Sequence, residues 1–109
     1  MIQGTIHTKY DLMHSLSENR EAIKAFGVNS LGIFGSFRKE TNTESSDVDL
    51  YVDFDPTRKS FDNFMALSFF IEELVGRKVE IVTPQSLSKF IGPHILNEVQ
   101  YVNLYLELD

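Results

Sequence analysis

The chain has 109 residues, 42% of them hydrophobic and 24% charged, with no cysteine and a formal net charge of -6. That size supports one core, so residues 1–109 are expected to form a single domain with no separate substrate-binding domain. Disulfides and thiolate chemistry are excluded, the acidic balance argues against direct nucleic-acid binding, and the missing long apolar run and signal-like N-terminus point to a cytoplasmic protein without a membrane partner.

Thr8 followed by Asp11 forms a capping arrangement, and Leu12, Leu16, Ile23 and Phe26 share one helical face, which predicts a helix stopped by Gly27. Leu31 to Phe34 is a short apolar run ending at Gly35-Ser36, as expected of a buried strand that breaks into a turn. Val48, Leu50, Val52 and Phe54 then alternate with Asp47, Asp49, Tyr51 and Asp53, so a half-buried strand presents its acids on one face until Asp55-Pro56 ends it. Ser60 caps a predicted helix over Phe61 to Val75, closed by Gly76, with a broad apolar stripe that packs on a sheet. Lys78 to Val82 reads as another strand. Thr83-Pro84 starts a helix, Gly92-Pro93 interrupts it, and the tail reads as helix to about Gln100 followed by a short strand. The fold class is α/β (α+β): a small mixed β-sheet with helices on one face and an open polar face.

Asp47 and Asp49, one residue apart on a strand, project from the same face with Cα atoms about 6.5 to 7 Å apart. At that distance two carboxylates repel by roughly 0.6 kcal/mol in water and about 2.5 kcal/mol at an effective dielectric of 20, so a partly buried pair calls for a proton or a cation. A bare Asp-x-Asp is most often a solvated polar face, and its neighbours change that reading. Gly35-Ser36 ends the preceding strand, where backbone N–H groups and a hydroxyl can hold phosphate oxygens, and Arg38 adds a cation suited to phosphate. Glu80 lies between Val79 and Ile81 and should emerge on the polar face. Three carboxylates without histidine or cysteine favour Mg²⁺, with Mn²⁺ as the alternative, and two such ions would support in-line displacement at phosphorus.

Gly35-Ser36, ten intervening residues, then Asp47-Val48-Asp49 resembles the signature of the DNA polymerase beta-like nucleotidyltransferases, closest to their minimal nucleotidyltransferase group. The segments Gly35 to Glu40, Ser46 to Phe54 and Gly76 to Pro84 carry the likeness in order. The resemblance implies a polymerase beta-like palm in which Asp47 and Asp49 ligate metal, Glu80 takes the third acidic position, either as base toward the acceptor hydroxyl or as metal ligand only, and Gly35 and Ser36 hold the triphosphate. Two departures stand out. Glu80 replaces a more usual Asp, and Lys39-Glu40-Thr41 replaces a stretch that is commonly Arg-Gly followed by a small residue, which bears on Arg38. Group members are usually paired with a HEPN-domain ribonuclease toxin, which they neutralise by moving AMP from ATP to a tyrosine hydroxyl. The size leaves no room for a domain that recognises a large acceptor, so that platform must be another molecule or another subunit, as in a homo-oligomer. The alternatives are a non-catalytic nucleotide- or partner-binding module that neutralises a toxin by occlusion, and transfer to a small molecule such as an aminoglycoside.

The remaining signals are expected to be structural. His7, His14 and His94 have no paired acid at useful spacing, and Phe61, Phe64, Phe69 and Phe70 are expected in the core, with Phe69 off the main stripe. Lys24, Arg58, Lys59, Arg77 and Lys78 are scattered singly and make no basic patch. Tyr51, on the strand face of Asp49, either contacts a nucleobase or shields the sheet.

Overall fold

The computed structural model describes residues 5–87 and 92–105. Four strands, β1 (Val28–Phe34), β2 (Val48–Phe54), β3 (Val79–Val82) and β4 (Gln100–Val102), form one mixed sheet in the order β3-β2-β1-β4. The helices are α1 (Lys9–Glu18), α2 (Arg20–Ala25), α3 (Gly35–Lys39), α4 (Phe61–Val75) and α5 (Gly92–Glu98).

The first helical region is two helices rather than one. Thr8 caps α1 by accepting the Asp11 N–H as expected, but Asn19 leaves helical geometry, and its amide donates back to the Ser15 carbonyl before α2 begins. Gly27, at φ 90°, ends the region. In β1 and β2 the alternation holds. Leu31, Ile33, Val48, Leu50 and Val52 are fully buried in one core with Leu12, Leu16, Ile23, Leu67, Ile71 and Val75 from α1, α2 and α4. Asp49 and Asp53 point to the opposite face.

The antiparallel β1–β2 pair needs only the short excursion through α3, whereas the parallel β2–β3 pair needs a crossover, which α4 supplies. Ser60 caps α4 by accepting the Asn63 N–H, and Gly76, at φ 70°, closes it. Phe61 corrects one expectation. It is 76% exposed at the first turn, as Phe69 is at 60%, and only Phe64 and Phe70 of the four phenylalanines reach the core.

The C-terminal third departs most from the expected pattern. Thr83-Pro84 opens only a single 3-10 turn, Pro84–Ser86, and Gly92-Pro93 begins α5 instead of interrupting a helix, because proline in the first turn loses no hydrogen bond. The terminal strand starts at Gln100, and the part of it expected at residues 106–108 lies outside the described residues. Among the described residues no helix is long and apolar enough to cross a membrane.

Candidate active site

Two backbone contacts fix where β3 begins. The Glu72 carboxylate accepts the Val79 N–H at 3.0 Å, and the Lys78 carbonyl accepts the Val48 N–H at 2.9 Å. With the start pinned, the parallel register pairs Val48 with Val79 and Asp49 with Glu80. Paired residues share a face of the sheet, so Asp49 and Glu80 stand side by side on strands about 4.8 Å apart. Asp47 precedes β2 on the same side.

The strand β1 delivers the other half of the site. Its last residue, Phe34, pairs with Asp49, so the Gly35-Ser36 turn lies directly against that carboxylate. Gly35 is required twice over: its φ of 73° disfavours any L side chain, and a Cβ there would meet the Asp49 side chain, with Cγ at 3.0 Å. The turn opens α3, anchored in the core by fully buried Phe37. Glu40 ends α3 in the left-handed region at φ 60°, which shows the structural reason a glycine would suit that position.

The acids carry more negative charge than their surroundings neutralise. The Asp49 carboxyl is pushed up to about 6, first by burial, then by Glu80 and Asp47, by its direct contact with the Glu80 carboxyl, and by Glu98. Among the described residues no group of three or more acidic or histidine side chains is placed to hold a metal ion as it stands. The donor set still suits a hard divalent cation in kind, since it is all carboxylate oxygen, and burial together with mutual repulsion keeps its central member in a state that a cation would relieve.

Three residues play parts that spacing alone did not reveal. Glu98, at the end of α5, accepts the Gly35 N–H on Oε1 at 2.6 Å and faces Lys39 Nζ at 3.5 Å through Oε2. No local pattern links Glu98 to Gly35, which is 63 positions away. Arg38 donates from Nε to the Glu98 carbonyl at 2.9 Å, so part of its guanidinium braces α5. Arg77 is no scattered surface cation. It is only 9% exposed, its Nη1 donates to the carbonyls of Thr43, Glu44 and Ser46 at 3.0, 3.2 and 2.9 Å, and its Nε donates to Ile6 at 2.6 Å. The same guanidinium lies 5.0 Å above the Phe37 ring. It thereby ties α3 to the loop that delivers Asp47.

Tyr51 is buried on the acidic face and meets Tyr101 edge-on at 6.4 Å. Burial, then Tyr101 and Asp53, push its hydroxyl pKa upward. Of the histidines, His14 does have an acid, Glu18 at i,i+4 and 2.9 Å, a spacing that can be read directly from the sequence. Both side chains are solvent-exposed on α1. His7 lies 3.4 Å from Arg77 Nη2, and His94 is exposed on α5.

Comparison with protein families matches residues 16–102 to the nucleotidyltransferase domain. Protein adenylyltransferase MntA of Thermococcus cleftensis is 37% identical over 86 residues, which span 79% of this chain and 86% of that protein. A solved structure, named as a candidate minimal nucleotidyltransferase, matches with a TM-score of 0.70 at 27% identity, over 89% of this chain and 98% of that one. A structure of the MntA-HpeT toxin-antitoxin matches with a TM-score of 0.62 at 14% identity, over 88% of this chain and 73% of that one, a likeness of fold.

Proposed function

The chain belongs to the nucleotidyltransferase domain family, and from that premise we propose that it moves AMP from ATP onto a tyrosine hydroxyl of a partner HEPN-type toxin, acting as its antitoxin. The observation that carries this reading is the register of Asp49 with Glu80 beside the Gly35 turn, since it gathers three separate sequence segments at one point.

In the proposed reaction Gly35 and Ser36 hold the triphosphate, with Arg38 contributing charge from a position fixed by the Glu98 carbonyl. Asp47, Asp49 and Glu80 are the residues that would hold divalent metal, Mg²⁺ by preference and two ions in number. Such ions, when bound, neutralise charge on the phosphate oxygens during displacement. The acceptor oxygen bonds to the α-phosphorus as the bond to the bridging oxygen of the pyrophosphate breaks, and pyrophosphate leaves with that electron pair. Glu80, exposed and beside Asp49, takes the proton of the acceptor hydroxyl. The acceptor sits on the partner protein, a reading supported by the way α1 to α4 turn their apolar side chains into one core while the acids lie on the opposite face.

The test is incubation with α-labelled ATP, Mg²⁺ and the toxin encoded beside it, with the modified residue located by mass. Asp49→Asn should lower transfer on the order of 10³-fold while the chain stays folded. Undiminished transfer by that variant would refute the assignment. Toxin neutralisation that survives Asp47→Asn with Asp49→Asn would favour occlusion without chemistry.

A further inference from the structure

We propose that Glu98 sets the affinity of the nucleotide site, as an internal carboxylate that occupies the backbone donor a phosphate oxygen needs and is displaced when a triphosphate binds. The inference rests on the nucleotide reading of the Gly35-Ser36 turn and extends it to a residue of the C-terminal helix.

The Gly35 N–H is the first donor of the turn, and Glu98 Oε1 takes it at 2.6 Å, as short as a charge-assisted bond. Its other oxygen faces Lys39 Nζ at 3.5 Å, and its carbonyl receives Arg38 Nε at 2.9 Å. A single residue thus engages an amide, an ammonium and part of a guanidinium, the three kinds of group with which a protein binds phosphate. One N–H directs its bond to one anion at a time, so a phosphate oxygen and Glu98 exclude each other at Gly35. A neutral acceptor would hold the turn as well, without adding charge beside Asp47, Asp49 and Glu80. The carboxylate instead reproduces the charge and two-oxygen shape of the ligand. When it is displaced, Lys39 loses its partner at the place where the phosphate arrives, so the incoming anion inherits that cation too. The site is therefore kept preformed, at the cost of a competitor that travels with it.

Calorimetric titration of Mg²⁺-ATP, Mg²⁺-tripolyphosphate and adenosine into wild type, Glu98→Ala and Glu98→Gln tests this. Removal of the competitor should tighten Mg²⁺-ATP binding by about tenfold in Glu98→Ala, and by roughly threefold in Glu98→Gln, which keeps an acceptor but not the charge. The gain should extend to tripolyphosphate and spare adenosine, because the competition is at the phosphate end. A residue that only braces the turn would show the opposite sign, with weaker binding in both variants. The proposal is overturned if neither variant binds Mg²⁺-ATP more tightly than wild type. Should Glu98→Ala fail to fold, Glu98→Gln decides alone. If wild type and both variants all fail to bind Mg²⁺-ATP, the nucleotide reading itself is overturned and this one with it.

Discussion

Arg77 and Asp49 both serve the stretch that leads into β2, and the molecule treats their charges in opposite ways. Arg77 is buried with its guanidinium spent on backbone carbonyls from residues 6, 43, 44 and 46 and on the face of Phe37. Asp49 is partly buried and surrounded by further anions, and its carboxyl is driven up to about 6, first by burial and then by Glu80, Asp47 and Glu98. A buried charge whose hydrogen bonds are all met belongs to the scaffold, while a charge kept among like charges marks a place where the fold waits for something else. The two regions are continuous, because the loop that Arg77 grips at Ser46 delivers Asp47 at the next residue.

The comparison predicts opposite signs when the two charges are removed. Arg77→Met strips several carbonyls of their donor and should cost about 3 kcal/mol in urea unfolding, with no recovery on adding Mg²⁺. A loss below about 1 kcal/mol would show that water replaces the guanidinium and that the loop is not held by it.

Removal of the charge at Asp49 should stabilise instead. Because its folded pKa lies above the ordinary 3.8, the native state binds the proton more tightly than the unfolded chain does. Its contribution therefore favours folding below pH 3.8 and is lost as the pH rises through about 6. Asp49→Asn should gain about 1 kcal/mol at pH 7.5, after allowance for solvent screening, and nothing near pH 3.5. Thermal unfolding of the pair across that range checks it, and a gain that does not change with pH would assign the effect to something other than charge.

The smallest effect concerns conformation alone. Glu40 ends α3 in the left-handed region at φ 60°, and Glu40→Gly should gain about 0.5 kcal/mol at every pH. A gain that varied with pH would make Glu40 part of the electrostatic story and blur the contrast.

Much of this was legible in the sequence because it is local. The alternation through Asp47 to Phe54 gave the acidic face, Thr8 and Ser60 gave the helix starts, and Gly35 gave the turn. The placement of Glu80 on the same face followed from its apolar neighbours, although its pairing with Asp49 depends on α4 and on the Glu72 contact that pins β3. The break at Asn19 was hidden, since the apolar spacing runs unbroken across it. Arg77 and Glu98 could not be found by any window, as their partners lie 31 to 71 and 59 to 63 residues away. Gly92-Pro93 was ambiguous in kind, because the same dipeptide can end one helix or begin the next.

We propose that the acids of Asp47, Asp49 and Glu80 form a divalent-cation site that works on a nucleotide. Titration of Mn²⁺ into the chain with a non-hydrolysable ATP analogue, followed by its paramagnetic signal, tests it most directly. Saturable binding that Mg²⁺ competes away, that is lost in Asp49→Asn and that weakens in Glu80→Gln is the predicted result. Equal Mn²⁺ binding by wild type and Asp49→Asn would contradict it.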